Sequence, residues 1–121
     1  MNNAKEDQIK NLTTEEILSS AFIVLGILSI YGDELQKKYI QTKNKAYEEQ
    51  ANSIFDLILL ITLILYLIFL YRNYKRYQKS PQNTKSLFGV RVLGSLLLLA
   101  GILCTIYFQQ NIKTPTAAPE L

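Results

Sequence analysis

The sequence predicts an all-α integral membrane protein with three transmembrane helices and helical extensions beyond the bilayer. Three observations predict it. Residues 54–71 form an apolar stretch whose only charge is Asp56, near one end. Residues 87–108 form a second, whose only charge is Arg91, near the other end. A third and shorter stretch covers residues 17–31. Crossing the hydrocarbon layer takes about 20 helical residues, so all three stretches are candidates.

Taking the elements in order, residues 1–12 are polar and read as a flexible tail. Thr13 and Glu16 have the spacing of a capping box, which predicts that helix 1 covers residues 13–32. Its apolar part, 15 residues, is roughly 22 Å long, short of the roughly 30 Å core. Local thinning or snorkelling flanks accommodate such a deficit at modest cost. Glu15 and Glu16 stand directly before the apolar part, where a signal peptide carries positive charge, so the segment reads as a retained helix. Gly26, Ser29 and Gly32 place small residues along it, a composition that suits close packing against another helix.

Residues 33–53 form a connection with balanced charge: Asp33, Glu34, Glu48 and Glu49 against Lys37, Lys38, Lys43 and Lys45. Glu34/Lys38 and Lys45/Glu49 are i,i+4 pairs that support helix. No proline or glycine lies between Asp33 and Ser80, so the flanking helices are expected to extend past the bilayer and turn near residues 41–44. Helix 2 is expected over residues 54–79. Its apolar part has no Gly, Ala or Ser between Asp56 and Tyr71, which predicts a lipid-facing position. Residues 80–86 begin Ser-Pro-Gln-Asn and read as a turn. Helix 3 is expected over residues 87–110. Gly94 and Gly101 are seven apart and share a face, which predicts that helix 3 packs on the Gly26/Gly32 face of helix 1. Residues 111–121 contain Pro115 and Pro119 and read as a second flexible tail.

Composition narrows the function classes. The 121 residues make one membrane domain and leave no segment able to bury a soluble core. Histidine is absent, and Cys104, the single cysteine, lies in an apolar stretch where packing is the expected role. No residues pair as nucleophile and base, cluster as metal ligands or form a phosphate loop. The sequence therefore predicts no catalytic residue, no cofactor and no metal. The net charge of +3 does not point to nucleic acid. The wealth of Lys, Asn, Ile and Tyr predicts an AT-rich genome, bacterial or viral.

The distribution of charge says more than its sum. Arg72, Lys75, Arg76, Lys79 and Lys85 follow the second stretch with no acid among them. With Lys5 and Lys10 they put seven basic residues on one side of a three-span protein. The other side has Lys37, Lys38, Lys43, Lys45 and Lys113, which is five. Basic residues abutting a span end retain it in the cytoplasm. The N-terminus and residues 72–86 are therefore expected inside, and the C-terminus outside.

The candidate contact site for lipid or a partner is Arg72, Tyr74, Lys75, Arg76, Tyr77 and Lys79, at the cytoplasmic end of helix 2. Basic residues at that surface each gain about 1 kcal/mol from anionic lipid. The same residue mixture also serves as an aromatic belt with snorkelling anchors. Glu16 and Arg91 form a candidate inter-helix pair, since both lie at the cytoplasmic end of their helices. Asp56, in the first turn of helix 2, suits the helix dipole. As a cation or proton site it has only Thr105, Tyr107, Gln109 and Gln110 at its depth.

Two functions fit. The first is a non-enzymatic accessory or interaction subunit of a membrane assembly, with anionic lipid and another membrane protein, or further copies of the chain, as partners. The second is a small oligomeric channel, transporter or pore with Ser29, Ser95 and Thr105 facing a lumen. In length, span number and basic second connection the chain resembles the phage holins, which implies a pore. It departs from them in its C-terminal tail, which carries one Lys and one Glu instead of a basic run.

Overall fold

A computed structural model of the chain describes residues 2–112 and contains three helices: α1 (Asn2–Thr42), α2 (Lys45–Lys79) and α3 (Lys85–Asn111). All three are long and apolar enough to cross a membrane, and no strand occurs among the described residues. At 1.5 Å per residue they measure roughly 60, 52 and 40 Å, so each exceeds the hydrocarbon thickness.

Helix α1 begins about eleven residues before the expected position. The N-terminal polar segment is helical from Asn2, and the capping box at Thr13 is not used. The Thr14 hydroxyl instead donates to the Lys10 carbonyl at 2.9 Å, as it does within a continuous helix. A helix that is already running leaves no orphan N–H groups at Thr13 for a cap to satisfy. The expected tail beyond Ile112 lies outside the described residues.

The first turn is two residues long. Lys43 takes the left-handed conformation, φ 58°, and its N–H donates to the Tyr39 carbonyl at 2.7 Å. That closes α1 in the manner usually left to glycine. Asn44 then caps α2, its side-chain oxygen accepting from the Ala46 N–H at 3.0 Å. The charged connection is thus the tip of a continuous helical hairpin. The second turn, residues 80–84, starts where Pro81 forces Ser80 into extended backbone, ψ 147°.

The helix order contradicts the expected packing. Helix α2 contacts both neighbours, and α1 and α3 do not contact each other. The three helices form an open row with α2 in the middle. Packing follows two seams with the alternating four-three spacing of paired helices. On α1, Leu18, Phe22, Leu25, Ser29, Gly32 and Gln36 are buried or half-buried; they meet Ala51, Phe55, Ile58, Thr62, Leu65 and Phe69 of α2. On α3 the sheltered positions are Phe88, Val92, Ser95, Leu99, Ile102, Ile106 and Gln109.

The middle position has a physical reason. A helix flanked on both sides needs apolar residues around most of its circumference. Helix α2 is the most apolar of the three, and 28% of its most apolar window is buried against 11% in each neighbour. Phe55, Ile58 and Leu65 of α2 fill the seam with α1 without a glycine on their own helix. The lack of glycine in α2 was therefore no mark of lipid exposure.

Of the expected packing residues, only Gly32 is in tight contact: a Cβ there would lie 2.6 Å from Phe55 Cε1. Ser29 is half-buried in the α1–α2 seam. Gly26, Gly94 and Gly101 face open space, with nothing within 4 Å of where a Cβ would sit. Cys104 is exposed on α3 and does not pack against another helix of the chain.

Candidate functional site

The basic end of the row is where the chain concentrates charge. Helix α2 runs eight residues past Tyr71 to Lys79, and the N-terminal part of α1 runs beside it in the opposite direction. This juxtaposition follows from the two-residue turn, which keeps the helices in register from one end to the other.

Glu15 is the acid that α1 contributes. Arg76 Nη2 donates to Glu15 Oε1 at 2.8 Å, and Arg72 Nη2 lies 3.7 Å from the same oxygen. Arg72 Nη2 also donates to the Asn11 carbonyl at 3.1 Å. The Arg72 side chain is the most sheltered of the three, 17% exposed. The Arg76 hydrogen bond, ahead of the nearby charges of Arg76, Arg72 and Arg91, holds the Glu15 carboxyl below its ordinary range.

The expected Glu16–Arg91 pair is thus replaced. Glu16 is exposed, and its neighbour Glu15 takes the role toward α2 instead of α3. Two facts cause this. Glu15 stands three residues before Leu18, on the face that meets α2, whereas Glu16 is rotated by 100° away from it. Arg91 belongs to α3, whose backbone does not approach that of α1. Arg91 still faces Glu15 across a cavity of about 240 Å³ shared with Ser19, Phe69, Arg72, Asn73 and Arg76.

Beside it opens a larger pocket of about 580 Å³, lined by Asn11, Arg72, Lys75, Arg76, Lys79, Ser80, Pro81, Phe88 and Arg91. Five lining residues are cationic and none is acidic. The pocket draws on all three helices: Asn11 from α1, Phe88 and Arg91 from α3, and the rest from α2 and the turn that follows it.

Four of the six residues expected at this site, Arg72, Lys75, Arg76 and Lys79, line the pocket. The two tyrosines do not. Tyr74 is exposed. Tyr77 is turned to α3, where its ring lies 3.5 Å from the Cβ position of Gly89 and Lys85 Nζ sits 5.3 Å above it. Lys75 Nζ lies 4.8 Å over the Tyr71 ring. The structure adds Arg91, Phe88 and Asn11. The charge of Arg91 inside an apolar stretch was a readable signal. Its companions were not, because they depend on which helices are neighbours.

One polar contact ties α3 to α2 just inside this end. The Asn73 side-chain amide donates to Ser95 Oγ, and that hydroxyl donates to the Arg91 carbonyl at 3.1 Å. At the opposite end, Asp56 is exposed beside Gln109 and Gln110 at the mouth of a groove of about 400 Å³, otherwise lined by Leu59, Leu60, Leu63 and Ile106. Gln109 Oε1, and Asn52 Oδ1 one turn before Asp56, are buried without a hydrogen-bond partner among the described residues. In the helical hairpin, the Glu48 carboxylate holds the Tyr39 hydroxyl above its usual range. No metal-holding cluster of His, Cys, Asp and Glu occurs among the described residues.

Comparison of the chain with protein-family models, with curated proteins and with solved structures found no match.

Proposed function

We propose that the chain is a small, non-enzymatic integral membrane protein that serves as an accessory or interaction subunit of a larger membrane assembly. The observation that carries this reading is the open row of helices. Helices α1 and α3 do not contact each other, and Gly26, Gly94 and Gly101 face open space. Small residues in membrane helices let a second backbone approach closely. Here no helix of the same chain uses that opportunity, which leaves the faces free for another protein.

A homo-oligomeric pore or transporter is the rival. The polar residues it needs are otherwise engaged. Ser95 is buried against Asn73, and the Thr105 hydroxyl donates to the Gly101 carbonyl at 3.0 Å. Ser29 is in the seam with α2.

The proposal places the N-terminus and residues 72–86 in the cytoplasm and the C-terminus outside, following the basic residues that abut the second span. Cysteines at Gln82 and Asn44, introduced singly with Cys104→Ala, test the orientation. A membrane-impermeant maleimide applied to intact cells should label the Asn44 site and spare the Gln82 site.

The test of function is isolation from native membranes in mild detergent, followed by identification of what accompanies the chain. A reproducible, stoichiometric protein partner, lost on Gly94→Leu or Gly101→Leu, is the expected result. A clean homo-oligomer with no partner would sink the accessory reading and favour the pore.

A further inference from the structure

We infer that the pocket between α1 and α3 at the basic end binds the phosphate of an anionic phospholipid, with Arg72, Arg76 and Arg91 as its guanidinium ligands. The inference rests on the membrane reading of the three helices and is independent of the accessory role.

Charge is the first ground. Arg72, Lys75, Arg76, Lys79 and Arg91 line one space of about 580 Å³. The carboxylate that faces them, Glu15, is engaged by Arg76 and Arg72. Five cations against one acid leave an excess of four. Arg91 makes no ion pair among the described residues, so its guanidinium is available to a ligand. Planar guanidinium forks match phosphate oxygens, and the pocket volume lies within the range of small-molecule sites, about 300–1,000 Å³.

Position is the second ground, and it selects a lipid over a soluble phosphate. The pocket lies where the apolar parts of α2 and α3 end, at Tyr71 and Leu87, which is the level of a headgroup layer. Phe88 forms part of its wall. A diffuse aromatic belt has the same composition but does not place Arg91 of α3 opposite Arg72 and Arg76 of α2.

Glu15 makes the inference sharp. It competes with any phosphate for Arg72 and Arg76. A site for phosphate should therefore gain affinity when Glu15 is neutralised, whereas a purely structural salt bridge should only loosen.

The experiment uses the full chain in detergent and native mass spectrometry. Phosphatidylglycerol and phosphatidylcholine with identical acyl chains are supplied in competition. Phosphatidylglycerol is expected to be retained one to one in preference to phosphatidylcholine. Arg91→Gln is expected to weaken retention about fivefold, the factor that corresponds to ~1 kcal/mol per basic residue. Glu15→Gln is expected to strengthen it by a similar factor. Lys45→Gln, which removes one charge at the other end of the row, is expected to leave it unchanged. Inorganic pyrophosphate, titrated calorimetrically without lipid, is expected not to bind. Pyrophosphate binding that follows the same variant order, with no preference between the lipids, would overturn the lipid in favour of a soluble phosphate. Equal retention of the two lipids without pyrophosphate binding, or equal effects of Arg91→Gln and Lys45→Gln, would overturn the site itself.

Discussion

Gly32→Ala should destabilise the protein, while the same change at Gly26, Gly94 or Gly101 should not. The added Cβ at Gly32 would lie 2.6 Å from Phe55 Cε1, 3.0 Å from Cζ and 3.2 Å from Cδ1. Carbon atoms in contact rest at about 3.5–4.0 Å, so the nearest pair is too close by roughly 1 Å. The Phe55 ring has no free side to swing into, since it is 2% exposed within the α1–α2 seam. The helices must therefore separate locally. Overpacking of this kind costs about 1–3 kcal/mol. Alanine returns roughly 0.8–1.0 kcal/mol through its higher helix propensity, which leaves a net loss of up to about 2 kcal/mol. At the three open glycines only the propensity gain remains. Unfolding of the full chain in detergent, followed by circular dichroism during titration with a denaturing detergent, measures the difference. Phe55→Leu in the Gly32→Ala background should recover part of the loss, because the smaller side chain vacates the contact. If Gly32→Ala is as stable as Gly26→Ala, the assignment of α2 as the direct neighbour of α1 at that level is wrong.

Other perturbations probe the remaining contacts. Asn73→Ala and Ser95→Ala should each destabilise the α2–α3 pair, and a double-mutant cycle should return a coupling of roughly 0.6 kcal/mol, the average for hydrogen bonds between membrane helices. Lys43→Gly should stabilise the first turn by ~0.5 kcal/mol: relief of left-handed strain, roughly 1 kcal/mol, exceeds the added flexibility of the unfolded chain. The same detergent titration reads it. The Arg76 hydrogen bond holds the Glu15 carboxyl below its ordinary range, so its contribution is complete above that range and is lost as pH falls through its lower folded-state value. NMR titration of the Glu15 carboxyl should show the midpoint moving up toward the ordinary carboxylate range in Arg76→Gln. An unchanged midpoint would remove Arg76 as the cause.

These perturbations separate two roles that the basic end combines. Arg72 and Arg76 tie α2 to α1 through Glu15 and Asn11. Arg91 does neither, yet it shares both cavities with them. A change at Arg91 therefore tests ligand binding with little effect on packing, and a change at Arg76 tests both together.

The sequence by itself determined the helical class, the three segments able to cross a membrane and the concentration of basic residues after the second one. Each of these follows from local composition along the chain, because an apolar run of sufficient length or a cluster of charges needs no knowledge of neighbours. Proline punctuation placed the second turn just as locally. The order of packing was decided only by tertiary structure. Small residues announce that a helix can be approached closely, but not by which helix, and Gly94 and Gly101 turned out to face away from the rest of the chain. The two-residue turn at Lys43 and Asn44 lays α1 antiparallel along α2, with contacts from Leu35 and Ala51 at one end to Asn11 and Arg72 at the other. That alignment selected Glu15 over Glu16, kept α1 away from α3, and opened the pocket that brings Arg91 to Arg72 and Arg76. The seam spacing was present in the sequence as Leu18, Phe22, Leu25 and Ala51, Phe55, Ile58. In helices apolar on every side, that pattern is legible only once the neighbours are known.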